Sequence, residues 1–208
     1  MNKIDKNVLA AAMTYEQYVQ KIKELLSEGK TSTSTINNSP NLIHYTEMNL
    51  QRMHRLDKTT HLMDETIESV KKINEKRTWL VITEGWCGDA SQIIPVIEKM
   101  AQLNPLISHQ LIFRDEHPEI MAAFLTDESR SIPKLVVLDG EGNVLNTWGP
   151  RPQALQERVM QEKIKMLAMS KEERKIYFDE VKAEVQKWYN NDKTHEIQKE
   201  IIEICFLL

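Results

Sequence analysis

One cysteine, Cys87, stands in Glu84-Gly85-Trp86-Cys87-Gly88-Asp89-Ala90, between the apolar run Trp79-Leu80-Val81-Ile82-Thr83 and an apolar helical pattern that opens at about residue 89. A thiol just ahead of a helix lies among unpaired backbone N–H groups and at the positive end of the helix dipole, and both favour thiolate over thiol. The chemistry this offers is nucleophilic attack on a disulfide or an oxidised thiol. A self-resolving Cys-x-x-Cys pair needs a second sulfur at position 90, where the residue is Ala90. Asp89 suits the helix N-terminus, yet its charge opposes a neighbouring thiolate, and the sequence leaves that balance open. Cys205, the only other cysteine, lies beside Ile204 and Phe206 and reads as a packed structural residue. To resolve a Cys87 adduct its Cα would have to come within about 7 Å of that of Cys87.

The elements that must position this thiol alternate in the middle of the chain. Short Val, Ile and Leu runs at 79–83, 111–113 and 135–138 read as strands covered on both faces, with helical patterns at about 89–103 and 117–125 between them. The turn Asp139-Gly140-Glu141-Gly142-Asn143 leads into an antiparallel returning strand, Val144 to Trp148. Upstream, Thr14-x-x-Gln17 has the form of a capping box before a helix ending near Gly29, residues 30–41 read as a polar loop, and 42–73 as one long helix or two abutting ones. Downstream, helices are expected at about 153–168, after the capping box Ser170-x-x-Glu173, and from about Thr194 to Leu208.

At these residues the chain resembles the thioredoxin family. Trp86-Cys87-Gly88 is similar to the family's Trp-Cys-Gly, Pro95 to the proline that kinks its active-site helix, and Ile132-Pro133, 46 residues after Cys87, to its cis-proline. The Trp-Cys-Gly-Asp form, Arg-Ser-Ile-Pro and Trp-Gly-Pro-Arg-Pro resemble a bacterial group within that family. The resemblance covers about 75–165. It implies that Pro133 faces Cys87, that the backbone of Ile132 pairs with an extended substrate segment, and that Trp86 offers a contact surface. It also exposes two departures. Ala90 cannot release a mixed disulfide, and the family's buried acid, which assists that release, aligns with Val81. Glu84 is a nearer acid and reads as a solvated turn carboxylate.

Other constellations are weaker. His54 and His61 are two helical turns apart and make no ligand set, so the histidines read as solvated face residues and no metal or cofactor is expected. Arg114-Asp115-Glu116-His117 falls at a strand end on the edge where Cys87 emerges and reads as a capped loop before the helix at 117–125 ahead of a border to the site, and Arg151 is held between two prolines, either for a carboxylate or for a loop hydrogen bond. With 27 basic against 31 acidic residues, a net charge of -4 gives no attraction for nucleic acid or anionic membranes. Two distant cysteines and a short early apolar patch, Val8 to Met13, point to a reducing, cytoplasmic setting.

The expected architecture is an α/β, thioredoxin-like fold at 75–165 with four or five strands, an N-terminal helical extension at 1–74 and a C-terminal helical tail at 166–208. The expected site is Cys87 as the reactive group, Trp86, Ile132 and Pro133 as substrate contacts, and Gly88, Asp89, Ala90 and Pro95 in support. A monothiol exchanging with protein thiols or disulfides, or with a low-molecular-weight thiol, and released by an external thiol, leads. A redox-inactive binding or scaffold protein on the same fold is the alternative, since more than half of the chain lies outside the core. A glutathione-dependent monothiol glutaredoxin fits less well, because Asp139-Gly140-Glu141-Gly142 replaces the glycine pair expected after the cis-proline strand.

Overall fold

The computed structural model describes residues 1–32 and 39–206. Four strands form one sheet in the order β2-β1-β3-β4. They are β1 (Arg77–Thr83), β2 (Ile107–Phe113), β3 (Lys134–Asp139) and β4 (Val144–Trp148). β1 runs parallel to β2 and antiparallel to β3, and β3 is antiparallel to β4. Successive side chains of a strand point to opposite faces, and every residue from Trp79 to Thr83 is fully buried, so both faces of β1 are covered.

Helix α5 (Ala90–Ala101) connects β1 to β2, as a parallel pair requires, and is buried along almost its whole length. It carries Pro95 inside it. α6 (Pro118–Ala123) leads on toward β3. Before the sheet come α1 (Lys6–Ala11), α2 (Tyr15–Ser27), α3 (Pro40–Thr59) and α4 (Asp64–Lys71). After it come α7 (Gln153–Met166), α8 (Lys171–Asp192) and α9 (His195–Phe206). α3 packs on α5, α2 on β2 and α9 on β4.

Both capping boxes form. Thr14 and Ser170 each accept from the N–H three residues on, at 3.2 Å, while Gln17 and Glu173 return the bond to the cap N–H at 2.9 Å. Residues 42–73 make two helices rather than one, the break following Thr60 and the stretch His61 to Met63. β2 begins four residues earlier than its apolar run, because Ile107, His109 and Leu111 alternate inward with a polar member among them. His109 is therefore buried rather than solvated, its Nδ1 2.7 Å from the Glu98 carboxylate.

Residues 33–38 of the loop expected at 30–41 lie outside the described residues, as does Leu208. Of its flanks, Thr31 and Ser32 are buried, and Ser39 caps α3, which already includes Pro40 and Asn41.

Candidate functional site

Cys87 lies in the turn between β1 and α5, where its N–H donates to the Glu84 carbonyl at 3.1 Å and its carbonyl accepts from Ser91 N–H at 3.2 Å. The side chain is 7 % exposed and its thiol donates to the Ile132 carbonyl at 3.3 Å. The Ile132–Pro133 peptide bond is cis, and Ile132 is buried. Cys87 and the carbonyl that precedes the cis-proline thus meet, although they lie 45 residues apart in the sequence. Gly149 locks this arrangement from behind. It has φ +110°, and a Cβ there would stand 2.4 Å from the Pro133 carbonyl oxygen, so a side chain is excluded both by conformation and by space.

The balance at the sulfur is resolved against the thiolate. Burial, and after it the Asp89 carboxylate, push the Cys87 thiol up to about 12; hydrogen bonds from the Ala90 and Asp89 N–H groups and the charge of Arg151 pull the other way. The helix N-terminus therefore acts in the expected direction and is outweighed by loss of water. At neutral pH, in this closed arrangement, Cys87 is a thiol.

Asp89 is held from two distant elements. Arg151, between its prolines, reaches it with Nη2 at 2.7 Å and also donates from Nη1 to Gln156 at 2.9 Å, so its partner is a carboxylate. Tyr189 on α8 donates to the other carboxylate oxygen at 2.9 Å. Burial, with the Asp89 charge after it, keeps the Tyr189 phenol protonated far above its ordinary range. Gln186, one turn earlier, bonds Gln92 at 2.7 Å. α8 is thus fastened over the start of α5.

Glu84 is not a solvated turn carboxylate. It is fully buried, accepts from the Asp115 N–H at 2.9 Å and from the Ser32 hydroxyl, and burial pushes it up to about 7 against those hydrogen bonds. Ser32 in turn accepts from Gly85 N–H at 3.1 Å, tying the end of the α2 loop to the active turn. Asn49 on α3 donates to the Gly85 carbonyl at 3.1 Å. Val81 is buried apolar core, so the fully buried acid nearest to it along the chain is Glu84, three residues further on and past the end of β1.

Trp86 is half-buried with the Arg114 guanidinium 5.0 Å above its ring, a cation–π contact. Arg114 also engages Asp115 at 2.8 Å, so the Arg114–Asp115 pair does border the site. Above these residues is a cavity of about 660 Å³, floored by Trp86, Cys87 and Ile132 and walled by α3 and α8. Arg52, Tyr45, Gln186 and Phe178 in those walls were not legible as site residues, since nothing local links helices about 130 residues apart.

Cys205 does not belong here. It is buried, Arg77 at the opposite end of β1 is its charged neighbour, and both cysteines are free. Seven residues of strand separate the two ends, roughly 20 Å. Among the described residues no cluster of His, Cys, Asp and Glu could hold a metal ion. No helix among them is long and apolar enough to cross a membrane.

A sheet of this topology, with a cysteine before the α5 helix bonded to the carbonyl that precedes a cis-proline, defines a thioredoxin-like protein. A family model described as Thioredoxin matches residues 36–166, more than half of the sequence, and the chain belongs to the thioredoxin family. The match begins ahead of α3, so one of the two helices that wall the cavity falls within it, while α8 lies beyond it. No curated protein matches the sequence. Two crystal structures share the fold over 93 % of this chain. One is a protein of unknown function, PA1234, from Pseudomonas aeruginosa, with 18 % identity, 97 % of its own chain covered and a TM-score of 0.54. The other is an HIV epitope scaffold, with 19 % identity, 98 % covered and a TM-score of 0.53.

Proposed function

We propose that the protein is a monothiol exchanger of the thioredoxin family whose thiol is guarded at rest. The observation that carries this reading is the Cys87 sulfur on the floor of a cavity, within reach of the Asp89 and Ala90 N–H groups and beside the Ile132 carbonyl. In the exchange step Cys87 loses its proton to solvent and attacks one sulfur of a disulfide. The S–S bond of the substrate breaks, a bond from Cys87 to one half forms, and the other half leaves as a thiolate and takes up a proton. An external thiol then attacks the substrate sulfur of the adduct, regenerating Cys87 and giving a new disulfide. Ala90 and Val81 leave that second step to an outside partner. A thiol held at about 12 makes the first step slow until substrate or movement of α8 changes its surroundings.

The test is mass spectrometry of the folded protein after incubation with small and protein disulfides. A single adduct at Cys87, absent in Cys87→Ser and removed by added thiol, is expected. Adducts confined to Cys205, or none at Cys87 up to pH 9, would sink the proposal. The second reading is a binding module without turnover, favoured by the protonated thiol together with Ala90 and Val81. Partners or ligands retained equally by Cys87→Ser, with no adduct in the unmutated protein, would establish it.

A further inference from the structure

Five cationic side chains line the cavity over Cys87, namely Arg52, Arg114, Arg130, Arg151 and Lys182, against two carboxylates, Asp89 and Asp179. Most of the cations are matched. Arg151 pairs with Asp89 at 2.7 Å, Lys182 with Asp179 at 2.6 Å, and Arg114 and Arg130 share Asp115 at 2.8 and 3.3 Å.

Arg52 differs. Its Nη1 donates to the neutral Asn49 amide at 2.9 Å, and among the described residues no carboxylate lies within ion-pair distance of it, Asp89 acting on it only from further away. It is half-buried. That same nitrogen lies 3.8 Å from the point where a Cβ on Gly88 would stand, so the unmatched charge sits over the residue next to Cys87. A partly dehydrated guanidinium with no carboxylate in contact is a favourable seat for one, which it can bind through two parallel N–H donors.

The size of the occupant follows from the walls. About 660 Å³ is within the usual range for small-molecule sites. α8, one of the walls, is fastened to the start of α5 by the Tyr189–Asp89 and Gln186–Gln92 bonds, and the Ile132 carbonyl is taken by the Cys87 thiol. An extended protein segment would have to displace all three. Tyr45, Phe178 and Trp86 supply apolar surface for the body of a small ligand.

We infer that the cavity receives a low-molecular-weight thiol, or its disulfide, bearing a carboxylate that pairs with Arg52 while its sulfur lies against Cys87. The placement of the sulfur rests on the exchange reading above; the carboxylate contact stands without it.

The test is calorimetric titration of Cys87→Ser, which cannot form an adduct, with reduced glutathione, cysteine and mercaptosuccinate as probes. Binding of at least one is expected, weakened about ten- to a hundredfold in Arg52→Gln, as loss of a charged hydrogen-bonded contact would give. Arg52→Lys should recover part of it. Glutathione diethyl ester, whose carboxylates are blocked, should bind about as weakly to Cys87→Ser as glutathione does to the Arg52→Gln form, a comparison that needs no change at Arg52. Equal binding of ester and acid, unchanged affinity in a folded Arg52→Gln protein, or capture of protein disulfides with no small thiol bound overturns the inference. Binding by Cys87→Ser with no adduct in the unmutated protein overturns the exchange reading and leaves the carboxylate site standing. Adducts formed equally fast with charged and neutral disulfides do the reverse.

Discussion

The phenol of Tyr189 donates to the carboxylate of Asp89 across 2.9 Å, joining the last long helix to the residue two places after the thiol. A hydrogen bond to a charged group is worth about 1.5–3 kcal/mol. Tyr189→Phe should therefore lower stability by about that much and loosen α8 over Cys87. Alkylation of the folded protein by a small maleimide should be several-fold faster. An unchanged alkylation rate would show that α8 does not guard the sulfur.

Asp89 raises the cost of a thiolate at Cys87, second only to burial. Asp89→Asn should increase the rate of Cys87 alkylation at pH 8 by about tenfold, equivalent to one unit of acidity. It should also lower the melting temperature, because Arg151 loses the carboxylate that compensates its burial. A melting temperature that falls with no gain in reactivity would mean that burial alone sets the thiol.

Glu84 makes stability fall as pH rises. Its carboxyl is held up to about 7 in the folded protein and returns to the ordinary value of 4.5 on unfolding. Below about pH 4.5 both states are protonated, and this group costs the fold nothing. Between there and about 7 the unfolded chain releases a proton that the folded chain keeps, so folding is progressively disfavoured, by on the order of 3 kcal/mol once pH exceeds 7. Glu84→Gln should flatten this part of the profile in urea titrations across pH 4.5 to 8. A variant with the same pH slope as the unmutated protein would refute the assignment.

Gly149 cannot carry a side chain. Gly149→Ala combines a φ of +110° with a Cβ 2.4 Å from the Pro133 oxygen, and should destabilise by more than about 2 kcal/mol. The displaced Pro133 should also disturb the Cys87–Ile132 contact, visible as faster alkylation of Cys87. An alanine variant as stable as the parent would mean that the loop can retreat.

The frame of the site is written locally, and this is why it was readable. Strands β1 and β3 are runs of apolar residues buried on both sides, and Cys87, Pro95 and Pro133 are chemically unusual residues at fixed separations along the chain. The surroundings are written non-locally. Glu84 looks like any turn carboxylate until Ser32 and the Asp115 N–H close around it. Arg52 looks like a solvated helix residue until α8 arrives opposite. His109 reads as a solvated residue ahead of the apolar run at 111–113, although its inward place in the alternation of β2 was available as a signal. Arg151 was marked by its two prolines, but only the folded chain selects Asp89 as its partner.

The order of the chain gives the wall over Cys87 a timing. The strands, the active turn and Pro133 are all synthesised before residues 171–192, so the thiol emerges with the sheet while the helix that covers it is still to be made. The Tyr189–Asp89 and Gln186–Gln92 bonds can form only once those residues have been made. The cavity above Cys87 is thus completed by residues made after the site that it encloses.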